Sequence, residues 1–475
     1  MLLFVHDNPA ARESESMLNY SLPGGLPAGN RAVWSQLTLE PLATGVLTPF
    51  SYSVISEIAG RAWYQLYDRL GFNPMPKARI MRQHLGRAYF NLTMSAQREA
   101  EVAGVEPITL LIDNKPFPVC KVEKAGFLAG LKTGLNERKL DRLMHAFAEE
   151  SETTLTKAQA WWERVAEFRW SQAEILLIME EIEPVSATPF SMFLAARQSI
   201  DLACNRLLRS LPAADAEILL NGLLGAAPGL PEADLFTQLD QMAQQISPAT
   251  RTWLSAGQYQ GWDDTLPDAG LRNAMQSFLA RFGHYSSVIG EVRLPRWQED
   301  PSPLFRLLAC GWDRRTAADP AAVQSTDVLL ARLDTPKRKQ AQESLQQIRQ
   351  ALPVQSRALS ALAYLLAGTR RWALAAAREA MSDKRLLEQE SVFMFELEEV
   401  KQMMTGEWNV SDTRDIQATA QKRTVGYNQW CAAEAPVLMI GESPASATQP
   451  VHLPEALNPL RRLTGKLVSE SREGL

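Results

Sequence analysis

The feature that most constrains the fold of this chain is an apolar spacing of three and four residues that recurs along its length. Such a spacing places the apolar side chains on one face of an α-helix, which must then be buried against another element. Three groups show it: Leu140, Leu143, Met144 and Phe147; Leu359, Leu362, Ala363 and Leu366; and Phe393, Leu397, Val400 and Met404. No alternation of strand and helix patterns is visible. The sequence therefore predicts a mainly α-helical (all-α) protein.

Two local signals refine this prediction. The helical pattern begins near Trp34, and a segment containing Trp162, Val165 and Ala166 is expected to end at Pro184, because proline lacks the backbone N–H that a helix interior needs. One short extended candidate, 109–112, precedes Asp113-Asn114 and is predicted to be a strand or a connecting segment.

Composition divides the 475 residues into three parts. Residues 1–30 are rich in glycine and proline and show no periodicity, so they are expected to form an irregular lead-in. Residues 31–440 carry the helical pattern, with a possible boundary between two lobes near 228–248, where Gly, Pro and Ala collect. Residues 441–475 are expected to be a helix-poor linker or docking tail.

Charge and hydropathy exclude several function classes. The net charge is -5, with basic and acidic residues interspersed, which argues against a nucleic-acid partner. No apolar run approaches the ~18 to 20 residues of a membrane span. The four cysteines form no CxxC pair, as expected for thiols in a reducing compartment. We therefore expect a cytoplasmic protein with neither nucleic-acid nor membrane partners.

Motifs for cofactors and metals are missing from the sequence. It contains no Gly-rich phosphate loop, no HExxH pair among its five histidines and no GxSxG elbow, so no cofactor or metal is expected in this chain. The twelve tryptophans are numerous, and the cluster at Trp161, Trp162 and Trp170 fits either an aromatic-lined ligand pocket or plain core packing.

Three segments resemble a known family. The first is 42–54 (LATGVLTPFSYSV) with 86–92 (GRAYFNL), the second is 281–301, which contains GHY, GE and PRWQEDP, and the third is 391–400 (SVFMFELEEV). In this order they are similar to the central helical domain of phosphoenolpyruvate-synthase-like enzymes of the rifampicin phosphotransferase type. The resemblance covers residues from about 30 to 440.

The resemblance implies a function that depends on other chains. A complete enzyme of the family has an ATP-grasp domain, a substrate domain and a swivelling domain whose histidine carries phosphate to the substrate. This chain resembles the substrate domain, and the Ser-His-Ala run of the swivelling domain is absent. The resemblance thus implies a substrate-binding subunit of a split phosphotransferase, which presents a hydroxyl of an apolar or aromatic small molecule. An ATP-grasp subunit and a phosphohistidine subunit would supply ATP and Mg²⁺.

The same resemblance suggests site residues. The catalytic candidates are Arg296, Glu291 and His284, and the substrate-binding candidates are Trp297, Thr48, Arg357 and Tyr285. Arg296 is expected to offer a bidentate guanidinium to an incoming phosphate. The alternative is that Glu291 and Arg296 pair to fix a helix junction while Trp297 packs.

Tyr285 stands where the family pattern has arginine, and this departure favours a second reading of the chain. In that reading the protein is a non-catalytic binding or scaffold protein that keeps the helical fold. Whether the chain is an enzyme is left open by the sequence.

Overall fold

The computed structural model describes residues 19–20, 32–39, 42–72, 80–103, 109–112, 115–120, 127–212, 215–216, 218–220, 230–310, 320–406, 413–441 and 443–444. Helix accounts for 73% of these residues, so the predicted mainly α-helical fold is confirmed. Most of the expected arms, 1–30 and 441–475, lie outside the described residues. The proposed division into two lobes stays a prediction.

Helices form most of the described chain. Numbered in chain order, they are α1 Pro49–Arg69, α2 Leu92–Ala103, α3 Phe127–Glu167, α4 Gln172–Ser210, α5 Pro231–Gln244, α6 Pro248–Ser255, α7 Trp262–Thr265, α8 Ala269–Phe282, α9 Ser302–Ala309, α10 Pro320–Arg332, α11 Thr335–Ser382, α12 Leu397–Thr405 and α13 Thr413–Ala432. Two 3-10 turns, Leu37–Leu39 and Gln389–Met394, connect them. Residues 215–216 and 218–220 are also helical.

Short polar side chains set the beginnings of the central helices. Thr48 caps α1 by accepting the Ser51 backbone N–H, and Pro49 occupies the first turn, where a missing N–H costs nothing. Ser171 and Glu174 form a reciprocal capping box at the start of α4. These side chains satisfy backbone donors that the first helical turn leaves without partners.

The expected helix end at Pro184 is wrong. Helix α3 ends at Glu167, and α4 continues through both Pro184 and Pro189. A proline inside a helix removes one hydrogen bond. Extensive packing of α4 against α1 and α11 offsets that loss, since tertiary burial stabilises helices more than local propensity does.

Most of the predicted apolar faces are buried. Leu140, Leu143, Met144 and Phe147 of α3 and the group at 359–366 of α11 lie in the core. Two residues depart from the prediction: Ala166 is exposed, and Phe393 belongs to the 3-10 turn before α12. Helix α11 is buried on several sides because it packs against both α3 and α4.

Two small sheets accompany the helices. Their strands are β1 Asn19–Tyr20, β2 Val33–Ser35, β3 Met81–His84, β4 Arg87–Asn91, β5 Thr109–Ile112, β6 Lys115–Pro118, β7 Leu438–Ile440 and β8 Ser443–Pro444. The orders are β1-β5-β6 and β3-β4-β2-β7-β8. Strand β5 confirms the extended candidate at 109–112, whereas Trp34 lies in β2 and not in a helix. The pairing of β2 with β7 joins two segments about four hundred residues apart.

The larger sheet lies beside the helices that form the core. Helix α1 packs against α4 and contacts β3, and α2 contacts β2, α3 and α4. The 3-10 turn Leu37–Leu39 packs on β4. The sheet, α1, α2 and α4 therefore meet in one region of the molecule.

Candidate functional site

The three sequence segments that carry the family resemblance meet at the beginning of α1. The Leu47 N–H donates to the Gly86 carbonyl over 2.8 Å, and the Gly290 N–H donates to the Leu42 carbonyl over 2.7 Å. The Leu397 N–H donates to the Ser53 hydroxyl, also over 2.7 Å. Segments far apart in sequence thus converge on one helix end.

Residues 283–301, here called the motif loop, connect α8 and α9 as a closed loop. The Trp297 N–H donates to the Tyr285 carbonyl over 2.8 Å, and the Gln298 N–H donates to the Gly283 carbonyl over 3.0 Å. Any side chain at Gly283 would place its Cβ 2.8 Å from the Gln298 Cβ atom across the loop and 2.3 Å from the Leu279 carbonyl oxygen of α8. Glycine at this position therefore permits the close approach that closes the loop.

The Glu291 side chain fixes the motif loop to α1. Its carboxylate is 3% exposed and accepts the Thr48 N–H over 2.7 Å and the Ser51 hydroxyl over 2.7 Å. The Thr48 hydroxyl and the Arg293 N–H, at 3.0 Å and 2.9 Å, complete four hydrogen bonds. Burial raises the pKa of Glu291, and the bonds from Ser51 and Thr48 oppose that rise. The positive end of the α1 dipole also favours a carboxylate here.

Gly290, beside Glu291, allows the same junction to close. A Cβ at this position would lie 2.7 Å from both the Leu42 carbonyl oxygen and the Ile55 Cδ1 atom. The Gly-Glu pair of the second segment and the Thr-Pro pair of the first are thus two halves of one packed junction.

Arg296 is buried within the protein, with 2% of its surface exposed. One guanidinium nitrogen, Nη1, donates to the Ser286 hydroxyl over 2.6 Å and to the Ile289 carbonyl over 3.2 Å. The other, Nη2, donates to the Leu366 carbonyl of α11 over 3.3 Å. Burial, followed by repulsion from Arg370, lowers the pKa of Arg296 to about 10. Among the described contacts Arg296 and Glu291 are not paired; each is bonded to other groups.

Arg370 of α11 was not singled out in the sequence, although it holds the other side of the motif loop. Its Nε atom donates to the Glu299 carboxylate over 2.9 Å, and its Nη1 atom donates to the Val292 and Arg293 carbonyls. Only its position in a predicted helix packed on the motif could have signalled this role, because arginine is common on solvated helix faces.

His284 lies in an aromatic cluster. Its ring stacks on Tyr364 of α11 with centroids 3.4 Å apart and planes 8° apart, and Trp162 of α3 lies 6.3 Å away. Burial, and secondarily Arg296, lowers the pKa of His284 well below its usual value. The ring is therefore neutral. Within the described part of the chain its Nε2 atom has no hydrogen-bond partner.

Of the remaining predicted residues, Trp297, Tyr285 and Thr48 contact other residues at the motif loop, and Arg357 contacts a different part of the protein. Trp297 packs its ring on Tyr285, with centroids 5.8 Å apart, and on Phe278. Thr48 joins Glu291, as described above. Arg357 instead pairs with Glu152 of α3 over 2.8 Å, so its described contacts do not include the motif loop.

Trp161 and Trp162 of the tryptophan cluster contact α11. The Trp161 ring lies so close to Gly368 of α11 that a Cβ there would be 2.3 Å from it, and its Nε1 atom donates to Glu181. Trp162 lies under Arg371, whose guanidinium carbon is 4.6 Å from the ring centroid. The described contacts of these two residues are those of a helix interface.

A small cavity lies where the larger sheet meets α1, α2 and α4; we call it the α1–α4 cavity. Its volume of about 20 Å³ is enough for one water molecule or one hydroxyl group. Five elements, the 3-10 turn Leu37–Leu39, α1, β4, α2 and α4, line it through Thr38, Trp63, Leu66, Tyr67, Phe90, Leu92, Ser95, Leu194, Arg197, Gln198 and Asp201. Phe90 and Leu92 belong to the motif segment 86–92, whereas the other lining residues lie outside the three segments that carry the resemblance.

Two polar atoms of this lining have no described partner. They are the Thr38 hydroxyl and the Gln198 Oε1 atom, on side chains that are only 7% and 6% exposed. The Gln198 Nε2 atom donates to the Tyr67 hydroxyl over 3.4 Å, and Arg197 pairs with Asp201 over 3.3 Å. Buried polar atoms without partners are rare in proteins, but these two have almost no exposed surface of their own, so the polar surface of the cavity belongs to other atoms of its lining.

The fold and these junctions define a mainly α-helical domain whose motif loop is fixed between α1 and α11. Residues 189–379 match the family model described as the rifampicin phosphotransferase fourth domain. The resemblance read from the sequence segments is confirmed over this range, which contains the motif loop and most of α4 and α11. No curated protein shows significant similarity to the chain. No described helix has both the length and the apolar character needed to cross a membrane.

Proposed function

We propose that this protein is the substrate-binding component of an ATP-dependent phosphotransferase of the phosphoenolpyruvate-synthase type. It would hold an apolar or aromatic small molecule and present one hydroxyl to a phosphohistidine on a partner chain. The observation that carries the proposal is the match of residues 189–379 to a rifampicin phosphotransferase domain. The proposed function places the protein in the cytoplasm, because the ATP that the partner chain would use is a cytoplasmic substrate.

The proposed division of labour follows from what phosphoryl transfer requires. The transfer needs a metal ion, donors around the phosphate and a positioned acceptor. The sequence contains no Gly-rich phosphate loop, so ATP and Mg²⁺ are assigned to an ATP-grasp partner and the phosphohistidine to a swivelling partner. This chain would supply acceptor positioning and exclusion of water.

The three predicted catalytic residues differ in whether the protein already bonds their polar atoms. The described hydrogen bonds of Glu291 and of the Arg296 Nη atoms are all to protein groups, so contact with a phosphate would require some of them to break. His284 keeps an unpartnered Nε2 atom in the described structure and is neutral. It is therefore the candidate of the three that can accept a proton without losing a bond on that atom.

The second candidate function is a non-catalytic binding or scaffold protein. The observation that favours it is the burial of Arg296 and Glu291 in structural contacts. Such a protein would keep the helical fold and bind a ligand or partner without turnover.

Phosphorylation with separated domains tests the proposal. The chain is mixed with Mg²⁺, ATP and a set of hydroxylated aromatic compounds, with or without the ATP-grasp and phosphohistidine domains of a rifampicin phosphotransferase. Those domains, supplied with their own substrate domain, form the positive control. We expect a phosphorylated product by mass spectrometry only when the added domains are present.

Two results would count against the proposal in different ways. Product formation by this chain alone, or micromolar ATP binding in calorimetry, would show a self-sufficient enzyme. Absence of product in every mixture, while the positive control is active, would favour the scaffold function.

A further inference from the structure

We propose that α13 is a strap over the junction between α1 and the motif loop, called the motif junction below. The strap opens and closes as a unit while the helical core stays folded, and its closure holds the motif junction in place. The contacts and burial of α13 carry this inference, which does not depend on the proposed function.

Two side chains of α13 contact two of the segments that carry the family resemblance. Arg423 donates to the Glu399 carboxylate of 391–400 over 2.8 Å. The Tyr427 ring lies under Arg293 of the motif loop, and the guanidinium carbon is 5.4 Å from the ring centroid. The Arg423 and Glu399 side chains are 31% and 23% exposed, so water competes for both groups of this ion pair.

A third side chain of α13 reaches the remaining segment, 86–92. The Trp430 ring lies so close to Gly86 that a Cβ there would be 2.9 Å from a ring carbon. Spacings of four and three residues put Arg423, Tyr427 and Trp430 on one face of the helix. This face therefore lies across the place where the three segments meet at the beginning of α1.

The burial of α13 is low for a helix in this position. Of its twenty residues only Ile416 and Ala420 are buried, and both lie in the N-terminal half. Helix α12, with nine residues, buries four, and α1 buries twelve of twenty-one. Regions with few buried apolar contacts open locally at a small free-energy cost, so the C-terminal half of α13 is expected to open before the core.

Both ends of α13 are fixed to the rest of the protein. Near the N-terminal end, Ile416 is buried and the Gln417 side chain donates to the Lys384 carbonyl over 3.2 Å. Beyond the C-terminal end, Arg87 donates to the Ala433 carbonyl over 2.8 Å, and β7 pairs with β2. A helix that is fixed at both ends and weakly packed between them can lift from the junction and return to it.

Gly426 weakens the same half of the helix. Glycine inside a helix is less favourable than alanine, because it has more backbone freedom to lose on folding. Outside the backbone of α13 itself, no described atom lies within 4 Å of the position that a Gly426 Cβ would occupy. Packing against the described residues therefore gives no reason for glycine here, whereas a segment that opens gives one.

Hydrogen exchange of the full chain, measured by mass spectrometry, tests the strap. Amides of 421–432 should have protection factors at least a hundredfold smaller than those of 355–370 in α11, where most side chains are buried. Arg423→Gln removes the pair with Glu399 and should reduce protection in 421–432 by at least threefold. Protection in 286–295 of the motif loop should fall with it, because opening of α13 uncovers the motif junction.

Two further variants complete the experiment. Gly426→Ala should raise protection in both 421–432 and 286–295 by about threefold, since alanine stabilises the closed helix. Lys422→Gln is the matched control: it removes the charge of the exposed neighbour of Arg423 and should change neither segment.

Three results would overturn the strap. The first is equal protection of α13 and α11. The second is a change in 421–432 that leaves 286–295 unaltered in both Arg423→Gln and Gly426→Ala, and the third is an equal loss throughout the chain in Arg423→Gln. If Arg423→Gln does not fold, Gly426→Ala decides alone, because its Cβ meets no described atom and its expected effect is stabilising.

Discussion

The motif loop and the α1–α4 cavity present opposite relations between sequence and structure. The motif loop contains the residues that stand out in the sequence, and its charged groups are bonded to protein: Glu291 accepts four hydrogen bonds and the Arg296 Nη atoms donate to three oxygens. The cavity is lined by residues from separate segments, and only Phe90 and Leu92 among them belong to a motif segment, 86–92. Its wall keeps two polar atoms without described partners, and in the motif loop the His284 Nε2, Arg296 Nε and Trp297 Nε1 atoms also have none.

This difference shows why a distinctive motif is a weak guide to the reacting atoms. Charges in the interior are costly unless they are bonded, so the four bonds of Glu291 and the three bonds of the Arg296 Nη atoms give both side chains a structural reason to be there. The comparison predicts large stability effects at the motif loop and small ones in the cavity.

The largest effect is expected at Glu291. Glu291→Ala leaves the Thr48 N–H, the Arg293 N–H and the Ser51 hydroxyl without their acceptor in a buried place. The free energy of unfolding in urea should fall by about 3 kcal/mol or more. Glu343→Ala, at an exposed glutamate of α11, is the control and should cost less than about 1 kcal/mol. A similar small loss for Glu291→Ala would contradict the junction described here.

A conservative change at Arg296 should have the next largest effect. Arg296→Lys keeps the charge, but lysine lacks the planar guanidinium whose two Nη atoms bond three oxygens in different directions. We therefore expect the free energy of unfolding to fall by about 2 kcal/mol. Arg357→Lys is the matched control, because Arg357 is half-buried against the exposed Glu152, and should lose less than about 1 kcal/mol. If Arg296→Lys were as stable as wild type while slowing phosphoryl transfer, Arg296 would have the catalytic role that the sequence suggests.

The neutral His284 predicts a pH dependence of stability. Its pKa is lowered in the folded state, so the unfolded chain binds a proton first as the pH falls. The contribution is fully present above about pH 6.5 and is lost as the pH falls toward the folded pKa, with a slope of about 1.4 kcal/mol per pH unit. The free energy of unfolding is measured in urea at several pH values. In His284→Phe its slope against pH should be smaller by the contribution of one proton, about 1.4 kcal/mol per pH unit. The exposed His145→Gln serves as the control, and identical slopes in His284→Phe and wild type would exclude a buried neutral His284.

The smallest effect is expected at Thr38 in the cavity. Thr38→Val removes a buried hydroxyl that has no described partner, so the free energy of unfolding should change by less than about 0.5 kcal/mol or rise slightly. Thr48→Val is the matched change at the motif junction, where the hydroxyl caps α1 and donates to Glu291. It should cost about 1 to 2 kcal/mol. Equal losses at the two threonines would mean that the Thr38 hydroxyl is bonded in solution.

The apolar spacing in the sequence predicted helices correctly where the apolar face is the face that packs against other helices. The Leu140 group and the strand at 109–112 were predicted correctly because burial on one face and turn residues are visible in sequence. The helix end at Pro184 was wrong, since packing of α4 against α1 and α11 offsets the lost hydrogen bond. The strand at Trp34 was missed because both of its partner strands are distant in sequence: Arg87–Asn91 lies more than fifty residues away and Leu438–Ile440 about four hundred.

The amino-acid sequence predicted a mainly α-helical protein and a distinctive segment, 281–301, inside the range that matches the rifampicin phosphotransferase fourth domain. Periodicity and short motifs are local properties, so they can be read without coordinates. The three-dimensional structure was needed to show that Glu291 joins the motif loop to the beginning of α1. It also showed that Arg370 binds the other side of the motif loop and that Thr38 and Gln198 line the same cavity. Those contacts depend on which distant backbone segments come within hydrogen-bond distance of one another. The spacing of residues along the chain does not predict these distances.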